Sequence, residues 1–113
     1  MADLVIFNAY SAASGKLYSN PIKMGDQFNV LLVGVTLFSG ILATSNGVVV
    51  ETSNDMANWS STSVGAQPSY TASSGPWYSQ GTATTVYGRY ARVVVTFGAT
   101  GGIVNVSAVP GRA

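Results

Sequence analysis

The amino-acid sequence predicts an all-β protein, a single-domain antiparallel β-sandwich of jelly-roll-like type spanning residues 1–113. Three observations predict it. No segment of helical length holds an amphipathic pattern with a period of about 3.6 residues. Short β-branched runs recur between clusters of Gly, Ser, Asn and Pro, as strands between turns do. The stretch "YARVVVTF" alternates strictly, with Ala91, Val93, Val95 and Phe97 on the core side and Tyr90, Arg92, Val94 and Thr96 on a mixed outer side. A chain of this length forms one core and not two.

The elements follow in order. "LVIFNAY" predicts a strand over Leu4–Tyr10, and Lys16–Tyr18 a brief pairing. Gln27–Leu37 is the longest apolar run. The whole run from Phe28 to Ala43 is interrupted by Asn29, Thr36 and Ser39, falls short of the roughly 20 residues of a spanning helix, and is rich in β-branched residues, so it reads as strand and not as membrane span. Val48–Ser53 is next, and a weaker strand lies at Ser69–Ala72. Thr82–Tyr87, Tyr90–Phe97 and Gly102–Ala108 complete the set. In the last, Val104, Val106 and Ala108 oppose Ile103, Asn105 and Ser107, and "GATGG" at 98–102 predicts a turn that makes the final two strands a hairpin.

Both parities of the Gln27–Leu37 strand are apolar, with Phe28, Val30 and Leu32 on one side and Leu31, Val33, Val35 and Leu37 on the other. An antiparallel strand with one wet face alternates more cleanly. Either the strand is covered on both sides within the fold, or one side is a subunit contact. Charge decides for the contact: only 8% of residues are charged, against roughly 25% in ordinary soluble domains. So neutral a surface leaves little charge for keeping a lone subunit soluble. The contact is therefore placed on Leu31, Val33, Val35 and Leu37 with Tyr90 and Arg92, and secondly on Trp77 and Tyr78. These two aromatics, with Tyr70, also mark the irregular stretch 60–85 as an excursion folded on the sandwich or on a neighbour, since flexible linkers rarely carry large aromatics.

Composition bounds the chemistry. With no histidine and no cysteine, the common general base, the strongest nucleophile and the thiolate metal ligands are all missing. No catalytic residue, metal ligand or cofactor site is assigned. Glu51 and Asp55 form the one candidate carboxylate pair, and solvated turn residues are the simpler reading of both. Glu51, Asn54, Asp55 and Asn58 offer oxygen ligands for calcium, but without the ligand ladder and glycine of a calcium loop; Asn and Asp also favour turns through local backbone bonds. The net charge of +1, with no basic run, gives nucleic-acid phosphates little to hold. The opening residues lack the pattern of a secretory signal, so the sequons at Asn58 and Asn105 are not read as glycosylation sites. Trp59, Tyr70, Trp77 and Tyr78 could serve as stacking platforms for a glycan, the alternative in which the protein is a carbohydrate-binding module. For Arg89 and Arg92, an ion pair to Glu51 or Asp55 is the expected role.

"VVVETSNDMANWSSTS" and, about thirty residues on, "YGRYARVVVTF" together resemble a strand–SND–NW–RYxRVxV pattern found in discoidin-like (F5/8 type C) sandwiches and in small bacteriophage virion β-sandwich proteins. The matching residues are Ser53, Asn54, Asp55, Asn58 and Trp59, then Arg89, Tyr90, Arg92, Val93 and Val95. The resemblance implies that the SND segment is a turn and that Trp59 closes over the sandwich edge. A full discoidin domain is longer and carries cysteines, so its lipid- and glycan-binding spikes are not carried over. What the resemblance implies is a non-enzymatic virion protein, a capsid or capsid-decoration subunit. It would be made in the host cytoplasm and act on itself and other virion proteins, with no cofactor, nucleic acid or membrane as partner. The alternatives are the carbohydrate-binding module, in a tail or adhesin, and a filament-forming subunit that donates edge strands.

Overall fold

The computed structural model describes residues 5–11, 15–43, 47–60, 73–80, 84–86 and 88–112. The fold is all-β and antiparallel, a sandwich-like arrangement made from one eight-stranded hydrogen-bonded sheet. The strands are β1 (Val5–Ser11), β2 (Gly15–Tyr18), β3 (Ile22–Lys23), β4 (Val30–Leu42), β5 (Val48–Ser53), β6 (Trp77–Gln80), β7 (Thr84–Thr85) and β8 (Tyr90–Gly111).

The organising element is β8, 22 residues long. Its first half, Tyr90–Phe97, pairs with β2 and β3 along one edge and with β5 along the other. Its second half, Gly102–Gly111, pairs with β1 on one side and with β4 on the other; β4 in turn carries β6 and β7. One strand thus runs through both layers. The expected hairpin at 98–102 does not form: the two halves of β8 do not pair with each other, and "GATGG" bends a continuous strand.

The bend has a side-chain signature. Ala91, Val93, Val95 and Phe97 are buried in the first half, whereas Val104, Val106 and Ala108 are buried in the second, so the inward parity switches from odd to even across 98–102. β4 switches at the same place: Leu31, Val33, Val35 and Leu37 are inward, then Leu42, with register shifts between Leu37 and Ser39 and between Gly40 and Leu42. There Gly40 lies opposite Gly102, and past the corner Leu42 lies opposite Phe97, in the other layer. Ala43 N–H continues the crossing by donating to Thr96 O (2.9 Å).

The inward residues of both layers form one core with Ile22, Met24, Val48, Val50 and Val86. This corrects the placement of Leu31, Val33, Val35 and Leu37 at a subunit contact. Each is at most 1% exposed, sealed between layers of the same chain. Both sides of β4 are apolar because one is core and the other is the outer face of the second layer. The expected core parities of residues 91–97 and 104–108 hold, as does Val48–Ser53 as a strand. Gln27–Leu37 begins later and runs on to Leu42, the described part of Thr82–Tyr87 contains β7, and β3 and β6 lie outside the expected strands. The strand expected at Ser69–Ala72, with Tyr70, lies outside the described residues.

Candidate functional site

Two surfaces stand out, one on each layer. On the first layer, cross-strand pairing sets Glu51 of β5 opposite Arg92 of β8. Arg92 Nε and Nη2 both reach Glu51 Oε1, each at 2.6 Å. The guanidinium also lies 4.5 Å from the centroid of the Tyr18 ring and 4.3 Å from that of Trp59. A planar cation between two aromatic faces gains from both quadrupoles, and arginine suits the position because its flat group stacks while its edge pairs with carboxylate. The expected ion pair of Arg92 is therefore present, to Glu51 of the same chain and not across a subunit boundary. Tyr18 was not singled out from the sequence; the signal was the alternation Lys16–Leu17–Tyr18, with Leu17 packing on the core. Beside this stack Val49 and Val94 face each other across the same strand pair and are buried, so this outer side is partly covered.

The segment 53–58, just before Trp59, is a turn held by its own side chains. Ser53 Oγ accepts from the N–H groups of Asp55 (3.1 Å) and Met56 (2.9 Å) and donates to Asp55 Oδ1 (2.9 Å). Asp55 Oδ1 also accepts from the N–H groups of Ala57 and Asn58, and Oδ2 from Asn58 Nδ2, all at 2.9 Å. The Asn58 and Ala57 backbone N–H groups, followed by the Asn58 and Ser53 side chains, hold the Asp55 carboxyl far below the usual carboxylate range. Asn54 Oδ1 accepts from Arg89 N–H (3.2 Å), tying the turn to the start of β8. The carboxylate is thus engaged by its own loop, an Asx-type turn, and Glu51 is engaged by Arg92. Asp55, Asn54 and Asn58 are thus engaged within or beside the turn and Glu51 with Arg92. Among the described residues no group of three or more Asp, Glu, His or Cys side chains is placed to hold a metal ion.

Arg92→Ala is expected to destabilise the fold by about 1–3 kcal/mol, because it strands the partly buried Glu51 and empties the space between Tyr18 and Trp59. Arg92→Lys should recover only part of this, lacking the stacking plane. Urea titration followed by tryptophan emission reads both; an Arg92→Ala protein with unaltered stability and spectrum would show that the stack contributes nothing.

The second surface is the outer face of the layer built from β1, β4, β6 and the second half of β8. Not one of these strand segments carries a charged residue. The charged strand residues Lys16, Lys23, Glu51 and Arg92 all belong to the first layer. Outward on the second layer stand Phe38 (53% exposed), Tyr78 (60%) and Ile103 (43%), with half-buried Leu32, Thr36 and Asn105 between. The Tyr78 ring lies across Gly34: a Cβ there would sit 3.0 Å from Tyr78 Oη and 3.0 Å from Ser107 Oγ. An aromatic laid over a strand glycine fills the gap that the missing side chain leaves and smooths the face.

The sequence-proposed residues thus divide. Tyr78 belongs to the neutral face; Trp77 packs on the core, its Nε1–H donating to Ser73 O (2.6 Å). Tyr90 is half-buried and Arg92 committed to its stack. As glycan platforms, Trp59 already has one face on Arg92 and Trp77 is turned toward the core, so these aromatics do not form a common platform. A cleft of about 580 Å³ near Lys23, Asp26, Phe28 and Arg89 brings together two cations and one acid. Comparison with protein-family models, with curated proteins and with solved structures finds no match to this chain.

Proposed function

We propose that this protein is a non-enzymatic structural virion subunit of a bacteriophage, of capsid or capsid-decoration type, that works by packing on copies of itself and on neighbouring virion proteins. The observation that carries the self-association is the charge-free outer face of the second layer, with Phe38, Tyr78 and Ile103 exposed on it. Such a face buries against its like without desolvating a charge, and interface cores are depleted in charge and enriched in aromatics. The virion assignment draws its support from the sequence resemblance and from the neutral Ser-, Thr- and Gly-rich composition.

The test is light scattering after size exclusion, on wild type and on Phe38→Asp and Ile103→Asp. These side chains are exposed, so both variants should remain folded by circular dichroism with stability changed by no more than about 1 kcal/mol. Wild type is expected to form defined oligomers, rings, shells or filaments visible by electron microscopy, and the variants to dissociate by at least tenfold in concentration. A wild-type protein that stays monomeric at high concentration would overturn self-association.

A further inference from the structure

We infer that the open edge of β1 is a strand-addition site whose occupant is β1 of a second copy, paired antiparallel so that the second layer continues across a two-fold axis. The inference rests on the self-association reading and names a contact distinct from the face.

Sheet borders are ordinarily defended against such pairing by short length, lysine, proline or a covering segment. The borders at β2, β3, β5 and β6 carry such devices, and β7 is only 2 residues long. β2 holds Lys16, β3 holds Lys23 and follows Pro21, and β6 is only 4 residues long and follows Pro76. β5 is bridged at Thr52, whose N–H and C=O exchange bonds with Ser60 (2.8 and 2.9 Å). β1 has neither lysine nor proline, and among the described residues no strand covers its edge. It is 7 residues, "VIFNAYS", without charge or proline, and it ends the strand order β1–β8–β4–β6. Among the described residues no strand pairs with its far side. In an antiparallel ladder alternate residues direct N–H and C=O to the same neighbour, so roughly half of the β1 residues present both groups outward.

The composition of the strand selects a second copy. A two-fold axis at Asn8 sets Asn8 opposite Asn8, Phe7 opposite Ala9, Ile6 opposite Tyr10 and Val5 opposite Ser11. No like charges are opposed in this register. The register keeps parity: Val5, Phe7 and Ala9, opposite Ala108, Val106 and Val104, pair only with odd-numbered residues of the second β1, so the sheet's two sides remain continuous across the axis. A two-fold contact of this kind is isologous and closes at two copies.

The test starts from the absence of cysteine in the chain. Directly opposed antiparallel residues have Cα atoms about 4.5–5.5 Å apart, within disulfide range. Asn8→Cys is therefore expected to form a disulfide-linked dimer on mild oxidation, and still to do so in the Phe38→Asp background, where the face contact is broken. Asn8→Lys and Asn8→Asp, each folded by circular dichroism, should each weaken the β1 contact at least tenfold in that background, and mixing them should restore it. If the charged variants do not fold, the cysteine variant decides. Wild-type oligomers without an Asn8→Cys cross-link would overturn the edge contact and leave self-association standing. A monomeric wild type would overturn both.

Discussion

Val35→Asp is expected to abolish folding, and not merely assembly. Val35 is wholly buried, opposite Val106 on one side and Ser79 on the other, in a core shared by both layers. A carboxylate there has no described cation within the core to pair with, and burying an unpaired charge costs several kcal/mol even after it takes up a proton. With total stabilities of about 5–15 kcal/mol, a loss above about 4 kcal/mol leaves a small domain largely unfolded. Val35→Ala, which removes two methyl groups, should cost about 2 kcal/mol and remain cooperative. Far-UV circular dichroism with a urea titration separates the cases. A Val35→Asp protein that is folded but fails to assemble would return this side of β4 to the surface.

That contrast shows where the sequence was legible. In residues 90–97 the alternation carries a phase, because Arg92 and Thr96 break the apolar run, and the inward set follows from it directly. In β4 both parities are apolar, so periodicity says strand but not which side is in. The phase comes from pairing with the second half of β8, some seventy residues later. The glycine cluster at 98–102 is ambiguous in the same way. A turn and a corner both call for glycine, and the difference lies in what approaches from β4. The Ser53–Asp55–Asn58 turn was readable because its bonds are local. The stack on Arg92 was readable only in part: the Glu51 pair follows from charge scarcity, whereas Tyr18 arrives through a pairing far from it in the chain.

The placement of charge carries the functional reading one step further. A sheet that folds on itself through one long strand separates a charged layer from a neutral one. The first layer settles its charges internally, in the Arg92–Glu51 pair and the Asp55 turn, and guards its borders with lysine. The second layer has neither device. In the proposed reading its neutral face and the β1 edge are two contacts pointing in different directions. One isologous contact closes a dimer, but two on the same subunit propagate, giving extended or shell-like assemblies without further partners. The proposed face and edge contacts thus predict the same outcome when either is removed alone, small closed species, and large assemblies only when both are intact.

The corner that permits this separation is the second place where a single atom should have a large effect. Gly40→Ala is expected to cost at least about 3 kcal/mol. At Gly40 φ is +83°, a conformation that disfavours any residue with a Cβ. A Cβ would also stand 1.8 Å from Gly101 O and 2.8 Å from the Gly101 carbonyl carbon, an overlap with backbone that no rotamer change relieves. Gly102 meets the same limit from the other strand, with a Cβ 2.1 Å from Ser39 O. Relief requires β4 and β8 to separate where both reverse their inward parity, which would unseat Leu37 and Leu42 on β4 and Phe97 and Val104 on β8 together. Gly25→Ala is the matched control: φ is +58° but nothing lies within 4 Å of the added atom, so only the conformational term of about 1 kcal/mol is lost. Urea midpoints of the two variants measure the difference. A large gap assigns the loss to the close approach of the strands, whereas equal, small losses would mean that the corner opens easily and that the layers are held by the core alone.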